Sequence, residues 1–225
     1  VRLLLPVLLF ACAPEGTDPD LPVTGDGSIC AVGDSIFEWH VADGGSIPEV
    51  VGRELGREVH NAAVSGALVT WGEPDLPAIP DQYDDGAWSW LVPDGGGNDL
   101  NDLCGCGACD AVLDDIVTED GRGGILPAFL GPVAESGVQV AFMTYPQIPG
   151  TAEFGFDRCG PVFEAYRTRL RAMAAFDDRI HIVDAGASID GTDLSLFDGD
   201  QVHPSPEGSA TMGRLIADHI RAVDP

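Results

Sequence analysis

The sequence predicts an α/β protein: a single domain built on one parallel sheet with helices on both faces. Three observations predict it. Strand-like and helix-like apolar patterns alternate from residue 28 to residue 223, the connections between them are short, and no internal repeat or second set of elements divides the chain. A length of 225 residues suits one domain with a sizeable core, and 44% hydrophobic with 21% charged residues fits a folded chain rather than a disordered one.

The elements follow in order. Residues 28–32 form a short apolar run and read as the first strand. Residues 47–55 carry Ile47, Val50, Val51 and Leu55 at helical spacing, with Ser46 as a cap and Pro48 in the first turn. Residues 58–63 read as a second strand, and 71–86, rich in Pro, Asp and Gly, as a loop or broken helix. The third strand is expected at 88–92, helices at 111–117 and 125–135, a fourth strand at 138–143 and a clear helix at 162–175. A fifth strand at 179–183 and a closing helix at 206–223, capped by Ser205, complete the pattern. In a parallel sheet the site lies outside the carboxyl ends of the strands. Ser35, Ser65-Gly66, Asn98 and Thr144-Tyr145 all follow strand ends, so they should meet on one edge.

Residues 1–12 read as a leader rather than as fold. Arg2 precedes the apolar run 3–11, which is too short to span a bilayer stably. Leu9-Phe10-Ala11-Cys12 resembles a bacterial lipobox, in which Cys12 would become an acylated first residue. A plain cleaved signal peptide and an uncleaved anchor stay open as alternatives. Residues 13–27, with Pro, Gly, Asp and Thr, read as a flexible tether, and 28–225 as the folded domain. The protein is expected to be exported, periplasmic or at the cell surface on a lipid tether, or else secreted.

The formal net charge is −26, and all eleven basic residues are arginine. Such a surface repels phosphate backbones and excludes nucleic-acid binding. It offers no attraction to anionic lipid heads, so any membrane contact would run through the N-terminal anchor. Export changes how the six cysteines are read. Cys12 belongs to the leader, and Cys30 lies in a strand pattern where a small buried hydrophobe fits. Cys104, Cys106, Cys109 and Cys159 suggest two disulfides, with three possible connectivities. A zinc site from the same four, disfavoured by the C-x-C spacing, and four free thiols are the competing readings. Either way the cluster follows the Asn98 loop and would brace it.

Ser35, after the first strand, is a candidate nucleophile. A serine hydroxyl needs a base to take its proton and donors to hold the oxyanion that forms. His203 is the candidate base, because Asp200 three residues earlier can sit on the ring nitrogen facing away from the substrate. His60 and His181 sit in strand patterns, His219 in the last helix, and His40 in a loop with no acidic partner at fixed spacing. Asn98 can give a side-chain amide to an oxyanion, and the Gly66 and Ser35 backbone N–H groups can give two more donors. Each feature alone is also explained by a turn or a helix cap; the four in this order, at strand ends, are not.

These residues resemble the SGNH hydrolase superfamily, which includes the GDSL esterases and lipases. Gly33-Asp34-Ser35-Ile36, Asn61-Ala62-Ala63-Val64-Ser65-Gly66, Gly96-Gly97-Asn98-Asp99-Leu100 and Asp200-Gln201-Val202-His203-Pro204 match its four blocks. The resemblance spans residues 28–222. It implies a flavodoxin-like three-layer sandwich with a five-stranded sheet in the order 2-1-3-4-5. It also implies Ser35 as nucleophile, His203 as base, Asp200 as its orienter, and Ser35, Gly66 and Asn98 as oxyanion donors, with no metal or cofactor. Two departures stand out: Pro93-Asp94 should interrupt the third strand where the family runs apolar, and the cysteine cluster is not a general family feature. The expected function is hydrolysis of a small-molecule, lipid or glycan ester through an acyl-enzyme, by a monomer. Acyl transfer or polysaccharide deacetylation at the same site is the alternative, and a non-catalytic, surface-anchored binding lipoprotein is the third reading. If Asp200 only orients, Asp200→Asn should lose much less than His203→Ala. The four tryptophans are expected to pack rather than to line a pocket.

Overall fold

The computed structural model describes residues 28–224. The leader, the acylation site at Cys12 and the tether 13–27 lie outside the described residues. Five strands, β1 (Ile29–Val32), β2 (Val59–Asn61), β3 (Trp90–Pro93), β4 (Gln139–Met143) and β5 (Ile180–Val183), form one sheet in the order β2-β1-β3-β4-β5. Every pairing is parallel. Among the described residues eight α-helices connect and flank them: α1 (Ser35–Glu38), α2 (Ile47–Leu55), α3 (Gly97–Asp102), α4 (Asp110–Ile116), α5 (Ile125–Glu135), α6 (Gly160–Ala174), α7 (Ala185–Ser188) and α8 (Pro206–Val223). The crossover from β1 to β2 runs opposite to those from β3 to β4 and from β4 to β5. Right-handed crossovers therefore put α2 on one face and α4 to α6 on the other. Helix α8 returns to pack on α2.

The central strands are covered on both sides, which explains their unbroken apolar runs. All four residues of β1 and all four of β3 are buried. The helices start and stop where local chemistry requires. Ser46 and Glu49 form a reciprocal capping box at the start of α2, and Gly56 ends it in the left-handed conformation. Ser205 caps α8 through the Gly208 N–H.

The expected elements form: the helices at 47–55, 125–135 and 206–223 keep their bounds, and the other boundaries shift by at most two residues. Residues 71–86 are loop around a 3-10 turn at Ile79–Gln82. Three short helices, α1, α3 and α7, go beyond the elements expected; each is too short to show a helical period. Pro93 does not interrupt β3. It is the last residue of the strand, level with Val32, and the ladder continues one residue further through Asp94 N–H to Val32 O at 3.1 Å. A proline is tolerated at this strand end, where the sheet is finishing.

Candidate active site

The turn from β1 into α1 presents Ser35. Asp34 has extended backbone and caps α1, its Oδ1 accepting from Ile36 N at 2.9 Å. Gln82 grips the turn from below: Gly33 N donates to Gln82 Oε1 at 2.7 Å, and Gln82 Nε2 donates back to Gly33 O at 3.0 Å. Ser35, the first helical residue, is held out toward the sheet's carboxyl edge.

The turn before α8 brings the base. Asp200 Oδ1 accepts two backbone N–H groups, from Val202 and His203, both at 2.9 Å. Its Oδ2 lies 2.7 Å from His203 Nδ1, and His203 Nε2 lies 2.8 Å from Ser35 Oγ. Partial burial pushes the Asp200 carboxyl up, but the His203 ring and the two N–H groups outweigh it and hold the pKa below the ordinary aspartate value. Trp39, at the end of α1, stacks flat on the His203 ring, with centroids 3.8 Å apart and planes 6° apart. Its indole N–H donates to Asp198 Oδ2 at 3.0 Å. One short helix therefore carries a hydroxyl at its start and, at its end, a plate that fixes the imidazole.

Gly66 and Asn98 arrive from the loops after β2 and β3. Gly66 has φ +82°, a backbone conformation that L side chains seldom adopt. A Cβ there would meet nothing within 4 Å, so the backbone conformation, rather than close approach, is what demands glycine. Ser35 N–H and Gly66 N–H donate to no protein acceptor among the described residues. Asn98 Nδ2 donates to Ala67 O at 3.1 Å and stands 3.5 Å from Asp34 Oδ2. Asp99 ties this loop to the Gly66 loop: its buried carboxylate accepts from Val69 N and Thr70 N, both at 2.9 Å, and from Thr70 Oγ1 at 2.6 Å.

Ser35, Gly66, Asn98 and His203 line one cavity of ≈ 360 Å³. Asp200 stands behind the imidazole. One wall is apolar, made of Ile148, Phe154, Phe156 and Val202, with Asn101 and Asp102 beside it. Of the four tryptophans only Trp39 lines this cavity. Trp90 is buried in the core, Trp71 is exposed, and Trp88 stacks on His60. His181 and His219 face each other elsewhere, and His40 holds Pro204 O at 3.0 Å.

The cysteine cluster forms two disulfides, Cys104–Cys109 and Cys106–Cys159. The second joins the segment after α3 to the start of α6, and so ties the Asn98 side of the cavity to the segment bearing Phe154 and Phe156. Cys30 is a buried free thiol, its pKa pushed up to about 12 by burial and by Asp84.

Sequence reasoning gave no site role to Asp99 or to the phenylalanine wall, and it expected Trp39 to pack rather than to line the cavity. Nothing in local pattern distinguishes them from packing residues. Asp94 was visible only as an oddity in an apolar strand.

A hydroxyl hydrogen-bonded to an imidazole, itself hydrogen-bonded to a carboxylate, beside unengaged backbone N–H groups, is an arrangement suited to acyl transfer. Residues 31–211 match the GDSL-like lipase/acylhydrolase family, and the chain belongs to that family and is a hydrolase of esters by class. No curated protein matches it. Solved structures share the fold. The lipase/acylhydrolase from Enterococcus faecalis is 15% identical with a TM-score of 0.62, over 88% of this chain and 97% of that one. Est24, a carbohydrate acetylesterase from Sinorhizobium meliloti, is 16% identical with a TM-score of 0.60, over 88% and 100%. TesA is 19% identical with a TM-score of 0.61, over 87% and 99%.

Proposed function

We propose that the protein is a serine esterase acting through an acyl-enzyme. The observation that carries this reading is the continuous hydrogen-bonded line from Ser35 Oγ through His203 to Asp200. Ser35 Oγ attacks the ester carbonyl carbon while its proton passes to His203 Nε2. The oxyanion is held by the N–H groups of Ser35 and Gly66 and by the Asn98 amide. As the intermediate collapses, the leaving alkoxide takes the proton from His203 and departs as the alcohol. Water then gives a proton to His203 and attacks the acyl carbon, and Ser35 leaves with that proton, releasing the acid. Asp200 holds the ring with Nε2 toward Ser35 and stabilises the imidazolium.

The substrate is an ester with a compact, uncharged acyl group, small-molecule, lipid or glycan in origin. The apolar wall of Phe154, Phe156, Ile148 and Val202 supports an apolar acyl group, and the acidic surface disfavours anionic ones. One chain supplies every residue of the site, which supports action as a monomer. We infer export from the reading of residues 1–12 as a leader, and the two disulfides are in keeping with it.

Ser35→Ala is expected to abolish hydrolysis of short p-nitrophenyl esters with the thermal unfolding midpoint kept. A fluorophosphonate should label the native protein at Ser35 and not the variant. Full activity in Ser35→Ala would sink the assignment. Analysis of products with sugar acceptors present separates hydrolysis from acyl transfer.

A further inference from the structure

Behind Ser35 lies a second carboxyl group that the proposed chemistry does not use. Asp94, just past β3, is 1% exposed, and its neighbour Asp34 is 2% exposed. Asp94 Oδ1 accepts from Asp34 N, the amide of the Gly33–Asp34 peptide, at 3.0 Å. It occupies the space beside Gly33 so fully that a Cβ on residue 33 would come within 1.7 Å of that oxygen. The glycine of the Gly-Asp-Ser turn is thus required by Asp94.

The two carboxyl groups are unequally supplied with donors. Asp34 accepts from Ile36 N–H and from the Tyr145 hydroxyl, with the Asn98 amide at 3.5 Å. Asp94 has the one N–H on Oδ1, and its Oδ2 is buried with no partner. A buried carboxylate persists where donors satisfy it; one with an orphan oxygen beside a second carboxylate is far better off neutral. Tyr145 and Tyr166 are the other titratable groups around the pair, with Asp99 and His203 further out, and none of these adds a donor to Asp94.

We propose that Asp94 is a positioning residue that works as a neutral acid: it keeps the proton, leaves the charge on Asp34, and fixes the Gly33–Asp34 peptide at the entry to the turn, so that the Ser35 hydroxyl and N–H that follow face the cavity together. Burial, reinforced by Asp34, drives the Asp94 carboxyl well above the ordinary aspartate range, in keeping with this. The positioning role rests on the esterase reading; the proton on Asp94 does not.

The test compares the wild type with Asp94→Asn and Asp94→Ala. Folding of the wild type takes up one proton at Asp94 that Asp94→Asn does not, because the unfolded aspartate titrates near pH 3.8. The ratio of the wild-type unfolding constant to that of Asp94→Asn should therefore fall up to tenfold for each unit of acidification between pH 8 and pH 5, read by urea unfolding. A ratio constant with pH overturns the neutral acid, whatever the enzyme does. In ester hydrolysis, Asp94→Asn should keep kcat within about threefold. Asp94→Ala, lacking the acceptor for Asp34 N–H, should lose about tenfold or more in kcat with KM little changed. Loss of kcat in Asp94→Asn equal to that in Asp94→Ala, or wild-type kcat in Asp94→Ala, overturns the positioning role. If Ser35→Ala proves active, the kinetic arm falls with the esterase reading, and the unfolding arm still decides the proton.

Discussion

Asp200 shows how one residue's surroundings change what a substitution should do. Sequence alone suggests that Asp200→Asn is mild if Asp200 merely orients His203. In the structure Oδ1 accepts two backbone N–H groups, and only Oδ2 faces the imidazole. An asparagine here would keep its carbonyl oxygen on those N–H groups and turn its NH₂ toward His203 Nδ1. That NH₂ can only donate, so the ring proton would move to Nε2, and the imidazole could not accept from Ser35. Asp200→Asn is therefore expected to lose about 10³- to 10⁴-fold in kcat. Asp200→Ala, which imposes no wrong tautomer, should retain more. Kinetics of the two variants side by side check this, and an Asn variant as active as the Ala variant would count against it.

At the scale of elements, the site is assembled from turns that are laced to each other rather than to the sheet alone. Glu38 of α1 accepts from Ser65 N at 2.5 Å, and Asp99 of α3 holds residues 69 and 70. The disulfides add covalent ties of unequal reach. Cys104–Cys109 spans 5 residues of sequence and Cys106–Cys159 spans 53. Loop-closure entropy gives about 2 kcal/mol for the first and about 4 kcal/mol for the second. Replacing Cys106 and Cys159 together by serine should lower stability more than replacing Cys104 and Cys109, by a margin of a few degrees in Tm. It should also raise KM, because the phenylalanine wall loses its tie to the Asn98 side. Equal Tm losses for the two pairs, measured by thermal unfolding, would contradict the loop argument.

For the molecule as a whole, the dominant quantity is the charge of −26, with 37 acidic residues against 11 arginines. Several arginines are engaged in ion pairs, including Arg167 and Arg171 with Asp184, so most acids have no cation nearby. Self-repulsion of this kind weakens the folded state and is screened by salt. Between about 0.01 M and 1 M NaCl, where the Debye length falls from about 30 Å to about 3 Å, Tm should rise by several degrees. Over the same range kcat/KM for an anionic ester should rise relative to that for a neutral ester of equal size. A Tm flat in salt, or the same salt response for both esters, would show that the surface charge does not act this way.

Much was legible without the fold. The alternation of apolar runs fixes the α/β class, because helix and strand periods are local properties of sequence. The blocks around Ser35, Gly66, Asn98 and Asp200–His203 identify the candidate site, because a tight turn and a short i to i+3 spacing are also local. What the tertiary structure decided is everything that depends on residues distant in sequence meeting in space. It chose one of three disulfide pairings, turned Trp39 onto His203 across 164 positions of chain, and closed β3 on Pro93 rather than breaking it there. It also put Asp94 beneath Asp34, giving Gly33 a reason that no turn propensity supplies. Burial and hydrogen-bond supply are set by the packed neighbours, and a linear sequence does not record which neighbours those are.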